Sequence, residues 1–245
     1  AYYVENNYNL PFKSNLKSTS DFSLLFGGIL PALNEPNGWS TGIIKLYNTL
    51  SADYLYKQAN NNVTFLDNHD MTRIHSSLGE SIAKTKMAYA WLYTCRGIPQ
   101  LYYGSEVLMK GISNPDGWVR LDFPGGWQGD KKNAFTETGL TNEESDFLHY
   151  VQTLGAYRTK SSALKTGNMM QYIPEDGLYV YFRYDNKQSV MIVMNTDTKT
   201  RNVNMSNYAE RTSAYKGGKE IISGNQIGAT FSMPAMSMQV IELTK

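Results

Sequence analysis

Apolar positions along this chain recur with two different periods, and the change from one to the other falls near Ser161. Upstream the spacing is helical. Ile43, Tyr47, Leu50 and Tyr54 predict a helix over 41–58, and Ala83, Met87, Ala90, Trp91 and Cys95 trace one face of a second, which Arg96-Gly97 stops. Ser77 and Glu80 stand at capping-box spacing ahead of that second helix. Thr141 and Glu144 repeat the spacing before Phe147, Val151, Leu154 and Arg158, which predict a third helix to about Lys160. Short apolar runs flank the second helix: Val63-Thr64-Phe65-Leu66, and 98–103 with Pro99 near its start, read as parallel strands of one βαβ unit. Asp21-Phe22-Ser23-Leu24-Leu25, inside 16–26, is a further candidate strand. Downstream of Ser161 short runs at 169–173, 178–184, 189–195, 227–233 and 237–243 are separated by Gly, Asn, Asp and Pro, the pattern of a separate antiparallel sandwich. Residues 110–139 follow neither period. A loop of that length, rich in Gly, Pro, Asp and Trp, points to function more than to simple connection.

Composition narrows the classes of function. A chain of 245 residues with 41% hydrophobic and 18% charged content can bury a sizeable core in one large domain or two ordinary ones. Its 23 basic and 22 acidic residues leave +1 and form no basic run, which speaks against nucleic acid or an anionic membrane as partner. The 18 tyrosines and 4 tryptophans suit a protein that stacks on flat apolar ligand faces, although core and sheet packing account for them equally well. Cys95 is the only cysteine, so an intrachain disulfide or a multi-cysteine metal site is excluded. No run is long and apolar enough to span a bilayer. The opening Ala1-Tyr2-Tyr3-Val4-Glu5 shows neither an initiator Met nor a signal-peptide pattern, so the chain is expected to begin within a longer one.

Chemistry concentrates where the first apolar strand breaks off. Phe65-Leu66 is followed at once by Asp67, Asn68, His69 and Asp70. In barrels of alternating strands and helices, the carboxyl end of a strand carries the reactive groups. A plain hydrophilic turn is the bland reading of such an Asx-rich run. A metallohydrolase built on His69, Asp70 and His75 is a second alternative, with a thin supply of ligands, since His149 is the one further histidine. Gly104-Ser105-Glu106 lacks the nucleophile-elbow pattern, and glycine-rich phosphate loops are absent.

Phe65-Leu66-Asp67-Asn68-His69-Asp70, followed about thirty residues later by Arg96-Gly97-Ile98-Pro99-Gln100-Leu101-Tyr102-Tyr103-Gly104-Ser105-Glu106, resembles the seventh and eighth barrel strands of the alpha-amylase family of glycoside hydrolases. Asn114-Pro115-Asp116-Gly117-Trp118-Val119-Arg120-Leu121-Asp122-Phe123-Pro124-Gly125-Gly126-Trp127 looks closest to neopullulanases and cyclomaltodextrinases of the Bacteroidetes type. The resemblance implies that Asp70 is the third catalytic carboxylate, stabilising an oxocarbenium-like transition state, with His69 bonding hydroxyls of the same sugar. Asn68 and Asp67 would hold the loop. Arg73 would either steady the Asp70 carboxylate or cap the next loop. Asp116 and Arg120 resemble the pair that binds a sugar further from the cleaved bond, a surface ion pair being the alternative. Tyr103, Trp118 and Trp127 are candidate stacking platforms, and Glu106 receives no catalytic role.

The same resemblance points to something missing. Retaining hydrolysis needs a nucleophile and a general acid/base about 5 Å apart, which the family carries on its fourth and fifth strands. The nucleophile motif Gly-x-Arg-x-Asp occurs nowhere here, and Glu5 does not follow an apolar strand. The expected fold is therefore α/β plus all-β: the C-terminal part of a (β/α)8 barrel, about strands 6 to 8, over residues 1–160, then a Greek-key antiparallel β-sandwich over 161–245. The expected whole is a retaining hydrolase of α-1,4-glucosidic bonds in maltodextrin, pullulan or cyclodextrin, with this chain alone inactive. A non-catalytic carbohydrate-binding module is the alternative. The expected partner is an α-glucan oligosaccharide or polysaccharide, without nucleic acid or membrane insertion, and unpaired strand edges favour self-association. No cofactor is expected in this segment, although calcium in the full-length enzyme is left open. The resemblance implies a periplasmic or secreted bacterial location, with the cytoplasm still open.

Overall fold

A computed structural model describes residues 4–8 and 14–245. Upstream of Ser161 three extended segments lie side by side and parallel. Val63 exchanges backbone hydrogen bonds with Thr19 and Asp21 at 2.9 and 2.8 Å, and strand β1, Val63–Phe65, pairs with β2, Ile98–Gln100, in the register Thr64 to Pro99. The helix Ile82–Thr94 connects β1 to β2, which makes the expected βαβ crossover. Gly97 turns the chain from helix to strand at φ +101°, where a Cβ would fall 2.7 Å from the Asn62 carbonyl oxygen. Among the described residues β2 pairs with β1 alone and so has one open edge, with Ile98 53% exposed.

Several elements differ from their predicted form. Residues 21–25 are not a strand. Asp21 caps a helical turn by accepting from the Leu24 N–H at 3.1 Å, and the helical path runs on through Leu25–Ile29 to Leu30–Asn34, burying Leu24, Leu25, Ile29 and Leu33. The extended segment lies just upstream of it. The helix predicted over 41–58 is α-helical only at Ile43–Ser51, because Asp53 is drawn away by Arg96, whose Nε donates to it at 2.7 Å. Arg96 also reaches buried Asp21 at 2.7 Å, a satisfied ion pair under the strands. Ser77 ends a short helix, Ile74–Ser77, and the cap of Ile82–Thr94 is Ser81. Thr141 and Glu144 do form the predicted capping box, opening the helix Asn142–Lys160.

The sandwich comprises a six-stranded sheet and a two-stranded one. The large sheet runs β3 (Asn168–Gln171), β4 (Leu178–Tyr184), β5 (Ser189–Asn195), β10 (Ser237–Thr244), β7 (Gly217–Glu220) and β8 (Gln226–Gly228). The small sheet pairs β6 (Arg201–Asn204) with β9 (Thr230–Met233). Alternation along β4 and β5 explains why β5 is buried throughout and β4 everywhere but at its two end residues. Val180, Phe182, Met191 and Val193 face Val203 and Met233 of the small sheet, whereas Tyr179, Tyr181, Val190 and Ile192 join the helical core upstream. The helix Ile82–Thr94 is correspondingly buried almost all round from Met87 on. Its carboxyl end is capped from both sides: Arg158 donates to the carbonyls of Tyr93 and Gly97 at 2.8 and 2.7 Å, and Arg183 of β4 donates to that of Thr94 at 3.2 Å. Among the described residues no helix is long and apolar enough to cross a membrane.

Candidate active site

The polar run after β1 is both a turn and a cluster of functional groups. Asp67 stays buried and accepts from the Ile74 N–H at 2.8 Å and the Ser105 hydroxyl at 2.7 Å, which folds the segment back onto the end of β2. Asn68 then forms an Asx turn, its side-chain oxygen accepting from the Asp70 N–H at 2.9 Å. This local bonding lifts the next two side chains into solvent, His69 at 63% and Asp70 at 64% exposure. Burial raises the Asp67 pKa above the ordinary carboxylate value, an effect only partly offset by its two donors.

Four of the predicted site residues meet at this turn. The Arg120 guanidinium lies 3.0 Å from Asp70 Oδ1 and 3.0 Å from Asp116 Oδ2, and its Nε donates to the His69 carbonyl at 2.9 Å. His69 Nε2 lies 3.2 Å from Asp70 Oδ2. Asp116 and Arg120 reach the turn on the helical turn Asp116–Val119 of the loop after β2. Two tyrosines at the end of β2 carry that loop: Tyr102 donates to the Val119 carbonyl at 3.0 Å and Tyr103 to that of Leu121 at 2.9 Å. Gly111 is required where the loop passes itself, since a Cβ there would fall 2.3 Å from the Trp118 carbonyl oxygen. Because the ion pairs are exposed, their contribution is orientation more than stability.

Of the two roles expected for Arg73, the structure supports holding the next loop and not steadying Asp70, and its burial takes it out of the set of substrate-binding residues. Arg73 is fully buried at 0% exposure, and its side-chain hydrogen bonds go elsewhere than to Asp70. Its guanidinium carbon lies 4.2 Å from the Tyr102 ring centroid and 4.9 Å from that of Tyr103, while Nη1 donates to the Tyr103 carbonyl and to Ser105 Oγ. Its backbone N–H donates to the Gly111 carbonyl at 2.9 Å, so Arg73 supports the following loop and Arg120 takes the place beside Asp70. Tyr103, 38% exposed, stacks on Arg73, and Trp118 and Trp127 are exposed in the loop after β2. Glu106 is half-buried, with its pKa raised by burial and one carboxylate oxygen lacking a partner among the described residues.

His75 stands apart from His69 and Asp70, inside the protein. Thr85 donates its only hydroxyl proton to the Ser81 carbonyl, so it accepts from His75 Nδ1 at 2.9 Å, which defines the neutral tautomer. Among the described residues no group of three or more His, Cys, Asp or Glu is placed to hold a metal ion. Burial lowers the His75 pKa below its ordinary 6.5. The unfolded chain then takes up that proton first as pH falls, so the stability linked to His75 is complete above about 6.5 and lost below it. His75→Asn is expected to flatten this acid-side decline in urea unfolding between about pH 7.5 and 5. An unchanged slope would contradict the assignment.

Comparison with known proteins bears on the chain as a whole. Residues 38–156 match the family described as the alpha amylase catalytic domain, and residues 169–242 match the cyclo-malto-dextrinase C-terminal domain. The cyclomaltodextrin glucanotransferase of Bacillus sp. (strain 38-2) is 30% identical over 145 residues, covering 59% of this chain and 18% of that protein. That of Bacillus licheniformis is 26% identical over 197 residues, covering 77% and 25%. The alpha-amylase of Geobacillus thermoleovorans, solved with acarbose, superimposes with a TM-score of 0.74 at 20% identity over 95% of this chain and 49% of that one. The debranching enzyme of Nostoc punctiforme gives 0.69 at 17% identity over 98% and 49%. The chain thus spans a quarter or less of these curated relatives and about half of these solved structures. Residues 38–156 therefore carry part of an alpha-amylase-family catalytic domain, and residues 169–242 a cyclomaltodextrinase-type C-terminal domain.

Proposed function

We propose that this chain is the C-terminal part of a retaining enzyme that acts on α-1,4-glucosidic bonds, with residues 1–160 contributing to its barrel and 161–245 forming the sandwich. One observation carries the reading: His69, Asp70, Asp116 and Arg120 assemble at the carboxyl end of β1 although fifty residues separate Asp70 from Arg120. Asp70 is the fixed anion that stabilises positive charge developing on the sugar ring. His69 donates to a hydroxyl of that ring, and Arg120 holds the Asp70 carboxylate in one orientation while Asp116 extends the polar edge toward a neighbouring sugar. Tyr103 closes the apolar side. The family match supports an α-glucan substrate, and the likeness to glucanotransferases supports transfer as well as hydrolysis from the same glycosyl-enzyme intermediate, since either a sugar hydroxyl or water can attack it.

The reading is tested by joining this chain to the upstream segment of its parent and following maltodextrin by proton NMR. Cleavage with retention of the α configuration is expected. No turnover, or inversion, would overturn it.

A further inference from the structure

We propose a second saccharide-binding surface, a groove that starts at Trp39 and runs along the sandwich. Three concavities, of about 560, 670 and 510 Å3, adjoin there. The first two share Ile173, Glu175 and Asp176, and the last two share Asn202, Asn204 and Asn207. No residue of the Asp70 cluster lines any of them.

The chemistry of the groove matches a neutral polyhydroxyl chain. At its mouth Trp39 is 100% exposed, beside Ile173 at 71%, so a large aromatic and an aliphatic surface face water in one place. Tyr172 and Tyr208 follow, packed edge to face with centroids 4.9 Å apart, and Phe231 lines the far end. Aromatic plates of this kind receive the C–H faces of sugar rings. Between them the amides of Asn202 and Asn207 are exposed and meet no side-chain partner among the described residues, each offering two donors and an acceptor to sugar hydroxyls. Charge along the groove is largely spent internally: Arg201 pairs with Asp176 at 3.2 Å and with Asp197. Glu175 and Asp176 disfavour an anionic ligand.

The surface is also held in place before any ligand arrives. Asn37 anchors the Trp39 loop, its amide bonding Thr196 at 3.0 Å and its carbonyl oxygen accepting from the Ile43 N–H at 3.1 Å. Gly177, at φ +80°, lets the sandwich approach so closely that a Cβ would lie 2.6 Å from Asn37 Nδ2. Tyr172 is fixed by donation to Glu210 at 3.1 Å. Such preorganisation lowers the entropic cost of binding. That the ligand is an α-glucan, among neutral glycans, rests on the function proposed above.

The test uses the 245-residue chain itself, labelled with nitrogen-15 and titrated with maltoheptaose. The Trp39 indole and the Asn207 side-chain amide are expected to shift together. Trp39→Ala is expected to weaken the affinity read at Asn207 at least about fivefold, and Asp70→Asn to leave it unchanged. Absent shifts at Asn207, or an affinity that Trp39→Ala does not alter, would overturn the groove while leaving the Asp70 reading to its own turnover assay. Equal binding of cellohexaose would overturn the α-glucan assignment.

Discussion

The 245-residue chain on its own is expected to leave maltodextrin, pullulan and cyclodextrin uncut. Retaining cleavage divides the work among three carboxylates, and the proposed role of Asp70 is the one that does neither nucleophilic attack nor proton transfer. The other acidic groups near the turn are committed elsewhere. Asp67 is buried and bonded to the Ile74 N–H and Ser105, Asp116 is paired with Arg120, and Glu106 faces the interior. The family's nucleophile motif is absent from the chain. A lone stabilising anion has no developing charge to stabilise when the bond is not being broken, so the whole enzymatic acceleration, on the order of 10⁶-fold or more, is lost. Reducing-end release over a long incubation is the measurement. Release above a protein-free blank would refute the division of labour.

The barrel part was legible where the apolar period was pure and obscured where a tertiary contact intervened. Thr141 and Glu144 announced a helix start because both capping partners are local, and the structure forms both bonds. Residues 21–25 misled because a strand and a buried helical turn look alike over five positions of which Phe22, Leu24 and Leu25 are apolar, and the decisive group, Asp21, acts as cap and as ion-pair partner of a residue 75 positions away. Arg96 likewise shortened the 41–58 helix by recruiting Asp53, which no local pattern reports. In the sandwich, β4 and β5 read clearly from their apolar runs. The strand β7 did not, because Gly217-Gly218-Lys219-Glu220 reads as a turn. Its glycines serve close backbone approach instead: a Cβ on Gly217 would sit 2.2 Å from the Ile227 carbonyl oxygen, and one on Gly218 2.5 Å from that of Glu242.

At the candidate site the composition of the run 67–70 was informative, but its geometry was not. A turn and a functional cluster were rival readings of the same four residues, and the structure shows that the Asx turn at Asn68 is what presents His69 and Asp70 to solvent. Which arginine serves Asp70 could not be read from spacing. Arg73 is three residues away yet buried under Tyr102 and Tyr103, whereas Arg120 arrives from fifty residues on. The paired tyrosines at the end of β2 were the available signal, since adjacent aromatics at a strand end offer both a floor for a buried guanidinium and hydroxyls to tether a loop.

Asp70→Asn in the parent enzyme is expected to remove most of the turnover and little of the fold. The amide keeps the shape of the side chain and a hydrogen-bonding oxygen toward Arg120, but it is neutral, so what disappears is the charge that meets the oxocarbenium-like transition state. Losing one preorganised electrostatic partner of this kind costs about 10²–10³-fold in kcat. Because the ground-state sugar carries no such charge, KM is expected to change far less. The exposed position of Asp70 means that unfolding is no confounding outcome, which circular dichroism of the variant would check independently. The steady-state kcat of Asp70→Asn against that of its parent, on maltodextrin, is therefore the most direct measurement: a fall of at least about 10²-fold with the fold retained is the result expected, and near-parental turnover is the result that would contradict the placement of Asp70 at the reacting sugar.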